Sequence, residues 1–139
     1  NVLDLFAGSG GLGIEALSRG CDYLYSVDNQ FAAFQVIKDN LKLLKIDNAK
    51  VFKLDYRKAL KRLCEEKIKF DLVLLDPPYG KGLVDGILEF LITNEMLNND
   101  CIIMVEELKE VIFDSFDQLI LIKKNDYGIT ALKVFKYQG

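Results

Sequence analysis

Residues Asn1–Gly13 read NVLDLFAGSGGLG, and this stretch decides the fold. A short apolar strand, Val2 to Phe6, runs into Ala7-Gly8-Ser9-Gly10-Gly11, and a helix-patterned segment follows through Ile14, Ala16 and Leu17 until Gly20 stops it. The same alternation continues outward from there. Tyr23 to Val27 is a second strand ended by Asp28-Asn29. A helix with Phe34, Ile37, Leu41 and Leu44 on one stripe comes next, its apolar residues three and four apart. Val51 to Leu54 is a third strand ended by Asp55, followed by a helix burying Tyr56, Ala59, Leu60 and Leu63. Phe70 to Leu75 is almost wholly apolar, as suits a central strand covered on both faces. It halts at Pro77-Pro78, which cannot continue a ladder. Val84, Ile87, Leu88 and Leu91 mark a fourth helix, and Cys101 to Val105 a fifth strand. Leu119 to Ile122 and Leu132 to Tyr137 are separated only by a turn around Asp126-Tyr127-Gly128, too short for a helical crossover, so they should pair antiparallel. Four strand–helix units, a fifth strand and a terminal hairpin predict a doubly wound, Rossmann-like α/β sheet, parallel except at one edge, with residues 1–139 forming one domain.

Composition narrows the chemistry. Half of the residues are hydrophobic, enough for a continuous core in 139 residues. Three cysteines lie far apart and histidine is absent, which argues against a disulfide framework, a Cys/His zinc site or a histidine base. No metal is expected. No apolar run reaches the length of a membrane span, and no membrane partner is expected; the default is a reduced cytoplasmic protein. The formal net charge of −3 is not that of a strongly basic nucleic-acid binder, although nine lysines fall between Lys38 and Lys69. These form either one local basic face or the solvated sides of two amphipathic helices. Because Asn1 leads at once into an apolar strand, a preceding N-terminal segment is expected. A monomer is expected.

Ligands of open α/β sheets bind beyond the carboxyl ends of the strands, and four successive strand ends here carry unusual residues. The loop Gly8-Ser9-Gly10-Gly11-Leu12-Gly13 has the spacing that lets backbone approach a nucleotide, or it is simply a tight strand-to-helix turn. Asp4, close to that loop, would repel a pyrophosphate but suits the amino group of a methionine moiety. No lysine follows the loop, so it is not a P-loop. Asp28 lies where an acidic residue reaches ribose hydroxyls, or it caps the next helix. Asp55 either contacts an adenine or caps the third helix.

The specific signal is Asp76-Pro77-Pro78-Tyr79. An exocyclic amine on a base is a poor nucleophile because its lone pair is delocalised into the ring. A carboxylate (Asp76) and a backbone carbonyl (Pro77) can accept its two hydrogens, pyramidalise the nitrogen and stabilise developing positive charge. Paired prolines, Pro77 and Pro78, fix the backbone that aims this carbonyl. Tyr79 offers a flat face for a base taken out of its stack. An activated methyl donor needs neither metal nor histidine.

With these residues in view, Asp4 to Gly10 resembles motif I of class I methyltransferases, and Asp76 to Tyr79 resembles their amino-methyltransferase motif IV. The stretches Asn1 to Gly10, Gly13-Ile14-Glu15-Ala16-Leu17-Ser18-Arg19-Gly20, Phe70 to Gly82 and Asp126-Tyr127-Gly128-Ile129-Thr130 resemble the RsmD-type family of small-subunit (16S) ribosomal RNA guanine-N2 methyltransferases. The resemblance implies a seven-stranded sheet with the last strand reversed. It implies S-adenosyl-L-methionine bound through Asp4, Gly8, Ser9, Gly10, Asp28 and Asp55, and catalysis at Asp76, Pro77, Pro78 and Tyr79. The substrate it implies is ribosomal RNA, free or in an assembling small subunit. It also implies a basic N-terminal extension with an Arg-Pro-Thr-like segment, which would lie before Asn1. A DNA adenine-N6 enzyme shares motif IV, but Gly80 to Gly139 leave little room for a target-recognition region. A nucleotide-binding oxidoreductase or non-catalytic module would leave motif IV unexplained, and a glutamine methyltransferase typically has Asn in place of Asp76.

Overall fold

The computed structural model describes residues Asn1–Gly139. Seven strands form a mixed sheet, and the chain divides into two compact units, Asn1–Ile68 and Lys69–Gly139.

The first unit comprises β1 (Val2–Asp4), α1 (Gly11–Ser18), β2 (Leu24–Val27), α2 (Phe31–Leu43), β3 (Ala49–Phe52) and α3 (Tyr56–Glu65). Its strands lie in the order β3-β2-β1, all parallel, with Leu3 opposite Tyr25 and Ser26 opposite Val51. Leu3, Leu24, Ile37, Ala59 and Leu63 are fully buried, so the period-2 and period-3.6 patterns both point where the sequence predicts. Leu44 is a correction. It lies past the end of α2 and is 55% exposed, because the helix stops one residue short of completing the stripe.

The second unit comprises β4 (Phe70–Leu75), α4 (Val84–Thr93), β5 (Leu97–Leu108), β6 (Leu119–Tyr127) and β7 (Thr130–Tyr137), in the order β4-β5-β7-β6. β4 and β5 are parallel, whereas β7 runs antiparallel to both β5 and β6. The terminal hairpin thus lies at one edge of an otherwise parallel sheet, with the last strand, β7, reversed as expected and lying inside β6. Composition explains the placement. β7 buries Ala131 and Val134, while β6 carries Lys123 and Lys124 and is largely exposed, which suits a strand with one open side. Strand β5 is also longer than the apolar run Cys101–Val105. It starts at Leu97, opposite Phe70, and accommodates Asn98-Asn99-Asp100 through a register shift with Asp100 at φ 69°. At its other end it carries Glu106 and Glu107, which pair with Leu132 and Ala131 of β7.

No helix is long and apolar enough to cross a membrane. Leu63, fully buried on α3, tests the core of the first unit. Leu63→Ala should lower unfolding free energy by about 2–5 kcal/mol in urea titration followed by circular dichroism.

Candidate active site

In the first unit the site residues cluster at the carboxyl ends of β1, β2 and β3. The turn after β1 is closed by a hydrogen bond from the Gly10 N–H to the Ala7 carbonyl, 2.9 Å, while the Ala7 N–H reaches the Val27 carbonyl of β2. Gly8 (φ 58°) and Gly10 (φ 80°) both occupy the left-handed region. They differ in surroundings. A Cβ on Gly10 would lie 2.9 Å from Ile37 of α2, whereas a Cβ on Gly8 would enter open space. Gly8 and Ser9 are exposed, and α1 begins at Gly11 with no side chain capping its N-terminus. Asp4, the last residue of β1, is 3% exposed, and the bare Cα of Gly13 allows α1 to pack against this carboxylate and Leu24.

Asp28 joins the two elements that the sequence reading treats separately. Its Oδ2 accepts the Gly8 N–H at 2.9 Å, and its Oδ1 accepts the Gln30 N–H at 2.9 Å. One carboxylate thus pins the glycine loop and turns the chain into α2, with lone pairs left over for further donors. Asp55 is the N-cap of α3. Its Oδ1 accepts the Arg57 N–H at 2.9 Å and the Arg57 Nε–H at 3.1 Å, and these bonds hold its carboxyl below the usual range.

In the second unit, motif IV follows β4 directly. Asp76, Pro78 and Tyr79 are exposed and Pro77 is buried. Because Leu75 is in register with Val105, the chain direction brings the next residues, Asp76 and Glu106, to the same strand ends. The Tyr79 hydroxyl donates to Glu106 Oε2 at 2.8 Å. Glu107, 2% exposed, uses one oxygen, Oε1, to accept the N–H groups of both Gly80 and Leu108 at 2.8 Å. Its other oxygen, Oε2, is buried without a hydrogen-bond partner.

Desolvation, then repulsion from Glu106 and Glu107, raise the Asp76 pKa, with the Tyr79 hydroxyl opposing them. The Tyr79 pKa is raised by burial and by its bond to Glu106. Glu106 and Glu107 are the site residues that the sequence reading misses. The available signal was the fifth strand end, which carries carboxylates as the second, third and fourth do. No group of three or more His, Cys, Asp or Glu residues is arranged to hold a metal ion.

This fold is shared with S-adenosylmethionine-dependent methyltransferases. A family profile described as Conserved hypothetical protein 95 matches residues 1–136. YlbH of Bacillus subtilis is 39% identical over 139 residues, covering 99% of this chain and 76% of YlbH. Ribosomal RNA small subunit methyltransferase D of Haemophilus influenzae is 31% identical over 136 residues, covering 96% of this chain and 70% of the relative. A solved structure of a conserved hypothetical protein from Streptococcus pyogenes superimposes with a TM-score of 0.90 at 35% identity, over 99% of this chain and 86% of that one. The chain belongs to this family, the RsmD-type S-adenosylmethionine-dependent methyltransferases.

Two measurements check the geometry. Gly10→Ala should destabilise the protein more than Gly8→Ala in denaturant titration, since both meet left-handed strain of about 1–2 kcal/mol but only Gly10 also meets Ile37. The second concerns Asp76. A folded pKa above the unfolded one means that the native state holds this proton more tightly. Stability is therefore lost as pH rises through the ordinary Asp value, about 4, towards the raised one, and the full cost is present above both. Asp76→Asn should raise Tm at pH 7 and lose that advantage as pH falls below about 4. An unchanged Tm difference across this range would contradict the assignment.

Proposed function

We propose that residues 1–139 act as one catalytic domain that methylates the exocyclic N2 amine of a guanine in small-subunit ribosomal RNA. The observation that carries the amine chemistry is Asp76-Pro77-Pro78-Tyr79 at the end of β4, with its following glycine held by Glu107. The family profile, running from residue 1 to 136, supports one domain, and the name of the Haemophilus relative supports ribosomal RNA.

In this reading the cofactor is held by the first unit. Gly8, Ser9 and Gly10 provide a backbone surface with open space at Gly8, and the uncapped start of α1 suits an anionic group. Asp4 is assigned to the methionine amino group, Asp28 to ribose hydroxyls and Asp55 to the adenine. S-adenosylmethionine, when bound, supplies a methyl group already activated on a sulfonium. The acceptor residues do the remainder. Asp76 and the Pro77 carbonyl accept the two hydrogens of the amine, so positive charge developing on nitrogen is stabilised by groups already in place. Pro78 stiffens the turn and Tyr79 stacks on the base. Only the ionised Asp76 offers a full negative charge to the positive charge developing on nitrogen, so its raised pKa moves the acid limb of activity above the ordinary carboxylate range.

RNA is favoured by a surface of the first unit. Lys38, Lys42 and Lys50 line a groove of about 350 Å³ between α2 and β3, with the Lys38 ammonium 5.2 Å from the centre of the Phe34 ring. Three lysines beside one aromatic ring suit a nucleic-acid strand. Action on ribosomal RNA suits a cytoplasmic enzyme, and the same reading takes it to act as a monomer.

Asp76→Ala should retain S-adenosylmethionine binding in calorimetry while methyl transfer drops by about 10²–10³-fold. Lost binding with unchanged transfer per bound cofactor would refute the role. Labelled S-adenosylmethionine offered with ribosomal RNA, assembled small subunits and DNA, followed by nucleoside analysis, should yield N2-methylguanosine from one of the first two. N6-methyladenine from DNA would replace this reading with the adenine one.

A further inference from the structure

Three carboxylates, Asp76, Glu106 and Glu107, meet at the acceptor end of the second unit, and the reaction as described uses only Asp76. Glu107 is accounted for by its position: it is buried, and one oxygen holds two backbone N–H groups. Glu106 is different. It is half-buried and stands at the strand end neighbouring Asp76, through the Leu75–Val105 register. The donor it holds is a movable one, the hydroxyl of Tyr79, at 2.8 Å. Tyr79 is itself 39% exposed, on the motif that receives the base. The next residue, Glu107, keeps a second carboxylate oxygen, Oε2, buried without a hydrogen-bond partner. Buried acceptors lacking a donor are rare and call for an explanation. A surplus of acceptors at this point suits a ligand edge made of donors.

We infer that Glu106 is a specificity-determining residue that accepts the N1–H of the target guanine while Asp76 and the Pro77 carbonyl engage its N2 amine. The inference rests on the guanine-N2 reading. Guanine carries N1–H directly beside its exocyclic amine, whereas adenine carries a bare N1 lone pair beside its own. A carboxylate next to Asp76 attracts the first and repels the second. A carboxylate has lone pairs for more than one donor, so Glu106 can take the N1–H with the Tyr79 hydroxyl still bound or after it has swung away to stack. Sites built to hydrogen-bond a particular group reject analogues that lack it far more strongly than apolar pockets reject a change in size. Motif IV, which is common to adenine and guanine amines, does not make this distinction. Glu106 does.

The base 2-aminopurine separates the roles, because it keeps the exocyclic N2 amine and lacks N1–H. Once nucleoside analysis has located the methylated guanine in small-subunit ribosomal RNA, that position is replaced by 2-aminopurine in a ligated synthetic RNA. The wild-type protein should favour guanine by at least about 100-fold in kcat/KM. Glu106→Gln, whose amide can turn its NH₂ towards a bare N1, should lose activity on guanine and bring the ratio to within about 10-fold. Tyr79→Phe should slow both substrates and leave the ratio unchanged. Calorimetric S-adenosylmethionine binding confirms that each variant is folded, and the wild-type comparison needs no variant at all. N2-methylguanosine on natural RNA with no preference against 2-aminopurine would overturn the role of Glu106 alone. The same preference in Glu106→Gln as in wild type would do likewise. Methylation of adenine in place of guanine would overturn the guanine reading and this role together.

Discussion

A backbone N–H of a left-handed glycine, donated to a carboxylate from the neighbouring strand end, is the interaction on which both halves of the molecule depend. It occurs twice. In the first unit Gly8, just beyond β1, donates to Asp28 at the end of β2. In the second, Gly80, just beyond β4 and motif IV, donates to Glu107 at the end of β5. Each bond spans residues 20 or 27 apart in sequence, and each fixes a loop that would otherwise be free to move over the strand ends. Hydrogen bonds to charged groups contribute about 1.5–3 kcal/mol, enough to hold a short loop in one conformation. Both glycines need positive φ, so the loops can turn sharply enough to bring their N–H groups onto the carboxylates.

The two halves differ in what surrounds this shared device. Around Asp28 the other groups are backbone, and the loop beside it is open at Gly8, the setting for a ligand that lies against main chain. In the second unit the residue before Glu107, Glu106, meets a phenol and stands near the Asp76 carboxylate, which on the proposed reading suits a ligand that brings hydrogens and positive charge. Burial first, and then the neighbouring carboxylates Glu106 and Glu107, raise the pKa of Asp76, and sites that store such cost are commonly where chemistry is done. The same division makes sense of a net charge of −3 in a protein assigned an RNA substrate. Carboxylates gather at the acceptor site, while Lys38, Lys42 and Lys50 line a separate groove in the first unit.

The alternation of strands and helices was legible because it is encoded locally. Apolar residues at spacings of two, or of three and four, state which face is buried wherever the element ends up. The glycine loop and Asp76-Pro77-Pro78-Tyr79 were legible for a related reason, since few other backbones or chemistries call for those residues in that order. What a residue does when two local rules compete was not legible. Asp28 could have been a ligand group or a cap. It closes the turn into α2 and anchors Gly8, and only the parallel pairing of β1 with β2 brings Gly8 within its reach.

By itself, then, the sequence determined the fold class, the order of the elements and the residues of motif IV, because each follows from short-range periodicity or from a contiguous motif. Tertiary structure alone decided three things. It put the reversed strand β7 inside β6, where its buried Ala131 and Val134 are covered and the lysines of β6 remain at the open edge. It extended β5 through Glu106 and Glu107, since β7 supplies backbone partners past the end of the apolar run. And by register between β4 and β5 it set Glu106 beside motif IV, with the Tyr79 hydroxyl bound to a residue 27 positions away. Each depends on which strand lies next to which, a long-range choice that no local pattern of residues records.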